Sequence, residues 1–247
     1  MARAAHLGRL TVRTVWRTAR LAERHAQTRS GRSLVFTVPG WPGHLPGQHL
    51  DVRLTADDGY QAVRSYSLAA PADGDRVELG VQAVPGGEVS PYLADELPVG
   101  AAVEMRGPLG NWFVWSGAGD EPVLLVAGGS GVVPLASMVR ARRATGSPSA
   151  FHLLYSVRGP DELWYREDLL HEDPLLDVRI VYTRRSPQEA DREPGRVLPA
   201  DLRAPTARLE PASPAYVCGP TGFVESVADL LVGLGRDPAT VRTERFG

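Results

Sequence analysis

The stretch at residues 122–139, PVLLVAGGSGVVPLASMV, constrains the fold more than any other part of the chain. An unbroken apolar run leads into Gly128, Gly129 and Gly131 and then straight into a helical pattern. An apolar run without alternation reads as a strand buried on both faces, which a parallel sheet covered by helices requires. The same rhythm continues to the end of the chain. AFHLLYS reads as a buried strand, ELWYREDLLH as a helix, and LDVRIVYT and AYVCG as strands; GFVESVADLLVGLG reads as an amphipathic helix ending in glycine, before TVRTERF closes. Alternating strands and helices predict a doubly wound, Rossmann-like α/β domain.

Before residues 115–122, WSGAGDEP, the pattern is different. RLTVRTVWR alternates Leu10, Val12, Thr14 and Trp16 against Thr11, Arg13, Val15 and Arg17, roughly with period two. RSLVFTVP, QHLDVRLT, YQAVRSYSLAA, RVELGVQAV and AAVEMRG follow as further strands, with the turn-rich GWPGHLPG and an Asp-Gly-Asp hairpin signal between them. One helix is expected at residues 90–97. Short strands with little helix predict an antiparallel β-barrel. The expected organisation is a barrel over residues 1–116 followed by the α/β domain over residues 117–247, a length suited to two ordinary domains.

Composition excludes several classes. No run approaches the roughly 20 apolar residues of a membrane span, and the N-terminal MARAAHLGRLTVRTVWR lacks the apolar centre of a secretory signal. A cytoplasmic protein with no membrane span and no nucleic-acid partner is expected. The single cysteine, Cys218, rules out an internal disulfide, a four-cysteine zinc site and an iron–sulfur cluster held by this chain. All 27 basic residues are arginine. That suggests coding bias and weakens any inference from an arginine to a phosphate. Eight of them (Arg3, Arg9, Arg13, Arg17, Arg20, Arg24, Arg29 and Arg32) fall in the first 32 residues against one acid, Glu23. Such a basic edge either steers an acidic partner or is a solvated outer face.

Three segments carry chemistry. The GGSGVVP turn follows a buried strand and opens a helix with Pro134 in its first turn; it suits a pyrophosphate, or is a plain glycine turn. YVCGPTG repeats the device, with Cys218 at a strand end that should face the ligand crevice or else serve as a small buried hydrophobe. PGGEVSPYL pairs a Gly86-Gly87 turn with Ser90 as N-cap and Pro91 as first helical residue, a second anion cradle or plain capping. Within AVRSYSLAAP, alternation puts Arg64 and Tyr66 on one face, a cation beside a ring, while Ser65 faces the barrel.

Together, RSYS, GGEVSPYL, RGPLGNW, GGSGVVP, VCGP and the closing ERF resemble, in order and spacing, the ferredoxin–NADP reductase superfamily over residues 8–247. The resemblance implies FAD and a nicotinamide coenzyme. On the FAD side it implies that Arg64 binds phosphate, Tyr66 packs on the flavin ring and Ser67 hydrogen-bonds near flavin N5. It also implies that Gly87, Val89 and Ser90 lie along the pyrophosphate and that Phe246 covers the other flavin face. On the coenzyme side it implies Gly129, Ser130, Gly131, Gly219 and Pro220, with Cys218 and Glu244 bordering the nicotinamide. Ser67, Cys218 and Glu244 would then be the catalytic positions, polarising and positioning rather than attacking. Ser156, Arg158 and Arg184 stand where a 2′-phosphate would be read, which favours NADPH over NADH; nearby Asp161 argues the other way.

Many relatives carry a four-cysteine ferredoxin domain that this chain lacks. Electrons are therefore expected to go to a separate ferredoxin, flavodoxin or oxygenase component, docking on the basic N-terminal strands. Two alternatives remain: a free-flavin reductase of the same fold, and a non-catalytic nucleotide-sensing module.

Overall fold

The structure, a computed structural model, describes residues 14–190, 192–207 and 209–246. Arg3, Arg9, Arg13 and most of RLTVRTVWR lie outside the described residues. Six strands form the first unit: β1 (Trp16–Ala26), β2 (Gly31–Thr37), β3 (His49–Thr55), β4 (Gln61–Ser67), β5 (Arg76–Gln82) and β6 (Ala102–Leu109). Their order is β4-β3-β6-β1-β2-β5, and every pairing is antiparallel. The edge strands β4 and β5 approach through the bridge Leu68↔Leu79, which closes the sheet into a barrel at one end. Leu21, Phe36, Leu50, Val77, Leu79 and Met105 fill it, none more than 1% exposed.

Two expectations fail here for reasons of register. Core residues of β1 are Ala19 and Leu21, so Trp16 belongs to the opposite parity. It is flanked instead by the guanidinium groups of Arg53 and Arg106, 4.2 and 4.8 Å from its ring. Ser65 pairs with Asp51, whereas Tyr66 and Arg64 pair with the core residues Leu50 and Val52. Ser65 therefore faces away from the barrel interior, and its hydroxyl donates to Asp51 at 2.7 Å.

The helix expected at residues 90–97 is present over residues 90–96, with π geometry over Tyr92–Glu96. Ser90 does not cap it: the Ser90 hydroxyl accepts a hydrogen bond from the Val84 N–H, which stitches the preceding turn. Val89 is 1% exposed and its side chain belongs to the barrel core.

The second unit contains β7 (Val123–Gly128), α1 (Val132–Thr145), β8 (Phe151–Val157), α2 (Arg166–Leu169), β9 (Leu176–Tyr182), α3 (Pro199–Thr206), β10 (Ala215–Pro220), α4 (Thr221–Gly233) and β11 (Val241–Phe246). The sheet order is β11-β10-β7-β8-β9, all parallel. Alternate residues feed two cores, as a doubly wound sheet demands. Leu125, Ala127, Leu153, Tyr155 and Cys218 face α1 and the barrel side. Leu124, Val126, Val217 and Val224 lie on the α3–α4 side. The helix expected in ELWYREDLLH is reduced to the four residues of α2, because Leu163, Trp164 and Tyr165 are drawn into the core at 6% exposure or less. Trp164 packs so closely on the β1–β2 turn that a Cβ on Gly31 would stand 2.4 Å from its ring.

Candidate active site at the domain junction

Edge strand β4 carries the first half of the site. Arg64 is exposed and forms an ion pair with Glu88 at 3.6 Å, and the Tyr60 hydroxyl reaches the same carboxylate at 3.3 Å. Tyr66 is half-buried, and burial pushes its hydroxyl up to about 12, so the ring stays neutral. Val84 to Gly87 form a tight turn, closed by the Gly87 N–H donating to the Val84 carbonyl at 2.9 Å, with Gly86 at φ +76°. This turn, Tyr92 and the β3–β4 hairpin border a groove of about 700 Å³ that Tyr60 and Glu88 also line. Arg64 stands at its mouth through the Glu88 pair, so a cation, a ring and a groove adjoin one another on an unpaired sheet edge.

The carboxyl ends of the parallel strands carry the second half. Gly129, Ser130, Ser156, Arg158, Pro220 and Phe246 line one pocket of about 210 Å³. Gly131 and Gly219 are not among its lining residues; they bring the backbones together. A Cβ on Gly131 would lie 2.3 Å from the Cys218 carbonyl oxygen, and one on Gly219 would lie 2.8 Å from the Phe223 ring. No side chain caps the first turn of α1; the Val132 N–H donates back to the Gly129 and Ser130 carbonyls and Pro134 has no N–H, so an anion here would be met by the glycine turn and the positive end of the helix. The glycine turn therefore fits a pyrophosphate, as the strand-end position in a doubly wound sheet requires.

At the second-strand end the acid and the cations are sorted. Asp161 is held by Arg185 at 2.6 Å. The amides of Arg184 and Arg185 both donate to the Arg158 carbonyl, at 3.1 and 3.0 Å, which places Arg158 and Arg184 at neighbouring strand ends. Both are exposed, and among the described residues neither has a carboxylate partner.

One contact across the junction is between site residues themselves: the Ser67 hydroxyl donates to a Glu244 carboxylate oxygen at 3.4 Å. Burial pushes the Glu244 carboxyl up to about 7, partly offset by the Ser67 hydrogen bond. Cys218 is the register partner of Glu244 on β10. It is 1% exposed, packs in the core shared with α1 and does not line the strand-end pocket, which is the small-buried-hydrophobe alternative. Burial and then the Glu244 charge push its thiol well up, so it is a packed neutral group and not a thiolate. His49 pairs with Ser67 from β3, and its buried Nδ1 has no hydrogen-bond partner among the described residues.

Sequence reading missed Gln82, Glu162, Trp164, Thr183 and Phe223, which also line this strand-end pocket. Thr183 directly follows β9 and was open to the strand-end rule. Gln82 comes from the barrel, and nothing local in the sequence points to it.

A cation and ring on a barrel edge, facing a glycine cradle at the ends of a parallel sheet, define a two-domain oxidoreductase that holds two nucleotides. Comparison with known proteins agrees. Residues 18–114 match the oxidoreductase FAD-binding domain family and residues 125–229 the oxidoreductase NAD-binding domain family. The ferredoxin–NAD(P)+ reductase component of a naphthalene 1,2-dioxygenase/salicylate 5-hydroxylase system from Ralstonia is 34% identical over 205 residues, 81% of this chain and 60% of that protein. A Pseudomonas putida flavohemoprotein is 32% identical over 237 residues, 94% of this chain and 59% of its own length. The structure of an Amycolatopsis cytochrome P450 reductase superposes with a TM-score of 0.83 at 26% identity, covering 98% of this chain and 73% of that one. The chain belongs to the ferredoxin–NADP reductase superfamily. It spans about three-fifths of the length of the two curated relatives.

Proposed function

We propose that this chain takes hydride from NADPH onto FAD and passes the electrons to a separate redox protein, such as a ferredoxin, a flavodoxin or an oxygenase component. The Ser67–Glu244 contact carries the reading, because it brings a side chain of the barrel edge onto one at the carboxyl ends of the parallel sheet. Nicotinamide and flavin supply the hydride and electron chemistry when bound; the protein supplies position and polarity.

On this reading Arg64 leaves Glu88 for a phosphate, and Tyr66 lies against the flavin. Backbone groups at Gly87, Val89 and Ser90 line the pyrophosphate, since the Ser90 hydroxyl and the Val89 side chain are already engaged. The groove of Tyr60, Glu88 and Tyr92 takes the adenosine half. Phe246, Cys218 and Glu244 border the nicotinamide, and Ser67 holds a hydroxyl toward flavin N5. Arg158 and Arg184 receive the 2′-phosphate; Asp161, engaged by Arg185, does not oppose it. The change from the FAD-binding to the coenzyme-binding unit falls between residues 116 and 117, in the segment that joins β6 to β7.

Docking of an acidic partner on the N-terminal strands narrows to few residues. Arg24 is tied to the Leu93 and Leu97 carbonyls, and Arg32 to Asp95 at 2.8 Å. Arg20, whose Nη1 reaches the Gly100 carbonyl only at the surface and at 3.3 Å, and Arg29 are exposed and have no carboxylate partner among the described residues, so they are the proposed contacts. No helix among the described residues is long and apolar enough to cross a membrane.

Anaerobic titration of the FAD-loaded protein with NADPH and with NADH tests the reading. The expected outcome is bleaching of the flavin band at lower NADPH than NADH. Retained FAD that neither coenzyme bleaches would overturn it in favour of a nucleotide-sensing module; loss of FAD on gel filtration would favour the free-flavin alternative.

A further inference from the structure

α1 begins at Val132, one residue after the glycine cradle, and runs back along the barrel. Arg140, eight residues along it and so ~12 Å from its start, has a side chain only 23% exposed. Its Nη1 donates to the Ala69 carbonyl at 2.9 Å and to Glu78 at 3.1 Å, both in the barrel unit. Its Nε donates to Asp168 at 2.5 Å, in the α/β unit, and the group lies 4.5 Å over the Tyr165 ring.

Both barrel contacts lie close to the flavin strand. Ala69 is two residues beyond Ser67, and the Ala69 N–H donates to the Glu78 carbonyl at 2.8 Å. Glu78 is itself held by the Ser33 hydroxyl at 2.5 Å. Apolar packing beside it is tight: a Cβ on Gly80 would lie 2.3 Å from Val133 of α1. The neighbouring Arg143 supplies a contrast. It bonds Asp168 and Asp173, both inside the α/β unit.

We propose that Arg140 is a positioning residue for hydride transfer, fixing the helix that starts at the coenzyme cradle against the strand that carries Tyr66 and Ser67. The inference rests on the hydride-transfer reading above. Its physical basis is that reacting atoms must be held near contact, and a shift of about 1 Å can cost on the order of 100-fold in rate. A half-buried guanidinium that satisfies two carboxylates and a carbonyl resists such a shift, because moving it would leave charges unpaired in a poorly solvated place.

The test compares Arg140→Met, which keeps the apolar stem over Tyr165, with Arg140→Lys, Glu78→Gln and the control Arg143→Met. Three quantities are read: single-turnover flavin reduction, dissociation constants for FAD and NADPH, and amide hydrogen exchange at Ala69 in protein without added coenzyme. Expected for Arg140→Met is reduction slowed about 10- to 100-fold, affinities within about threefold and faster exchange at Ala69. Arg140→Lys and Glu78→Gln should fall between it and wild type. Arg143→Met should lose thermal stability but keep normal reduction and exchange. Equal slowing in Arg143→Met, affinities that fall in step with the rate, or unchanged exchange at Ala69 would each overturn the proposal. Should Arg140→Met fail to fold, Glu78→Gln decides by the same criteria. A wild-type flavin that neither coenzyme reduces would instead overturn the hydride-transfer reading, and Ala69 exchange would still report whether Arg140 couples the two units.

Discussion

A carboxyl that titrates near 7 leaves a mark on stability as well as turnover. Glu244 is raised from 4.5 to about 7, chiefly by burial. In that window the folded chain holds a proton that the unfolded chain has already released. Stability from this group is therefore complete at or below about pH 4.5 and falls as pH rises through 7. The loss is on the order of 3–4 kcal/mol at most, at ~1.4 kcal/mol for each tenfold change in proton affinity. Glu244→Gln should remove it: the urea midpoint of wild type should fall relative to the variant between pH 5 and 8. Parallel profiles would show that the carboxyl is solvated. Two further substitutions separate the roles proposed for neighbours on one strand. Tyr66→Ala removes a half-buried ring and should weaken FAD binding about 10-fold or more, a loss of ~1.5 kcal/mol or more for a stacked aromatic. Ser67→Ala should retain FAD while slowing its reduction by NADPH. Stopped-flow reduction as fast as wild type would remove Ser67 from the mechanism.

At the scale of elements, the meeting of α1 and β10 depends on the absence of a side chain. Gly131→Ala would place a Cβ 2.3 Å from the Cys218 carbonyl, backbone that cannot yield cheaply. Separating the two elements should cost about 2 kcal/mol, a fall of roughly 4–8 °C in melting temperature for a chain of this size. It should also raise the KM for NADPH, and calorimetry with steady-state kinetics checks both. The strands that build both sheets were legible because their apolar patterns are long and bounded by glycine and proline. So was the glycine turn, whose spacing already implied a close approach. Illegible features turned on parity or long-range capture. Trp16 looked like a core residue, but the core takes Ala19 and Leu21 of the same strand. Ser90 looked like a cap until the Val84 amide claimed its hydroxyl. ELWYREDLLH has helical periodicity, yet Trp164 and Tyr165 are pulled onto the barrel turn, where Gln27 accepts the Tyr165 N–H at 2.9 Å. No local signal encodes a contact to residues some 140 positions away.

Charge asymmetry acts on the molecule as a whole. The chain is −2 overall, yet its first 32 residues hold eight arginines and one acid. On the proposed docking, such an excess of positive charge would orient an approaching acidic protein and raise its association rate, an effect that salt screens with a length of about 8–10 Å near physiological strength. Arg24 and Arg32 are committed to internal bonds, so changing them would test folding and not docking. Arg20→Glu combined with Arg29→Glu reverses charge at two exposed positions distant in sequence from the Ser67–Glu244 junction. It should raise the KM for an acidic ferredoxin severalfold at low salt and flatten the salt dependence of its reduction. Reduction of ferricyanide by NADPH should show no comparable rise in KM, since a small acceptor does not need an oriented protein surface. A double variant whose ferredoxin kinetics keep the wild-type salt slope would move the docking surface elsewhere on the barrel.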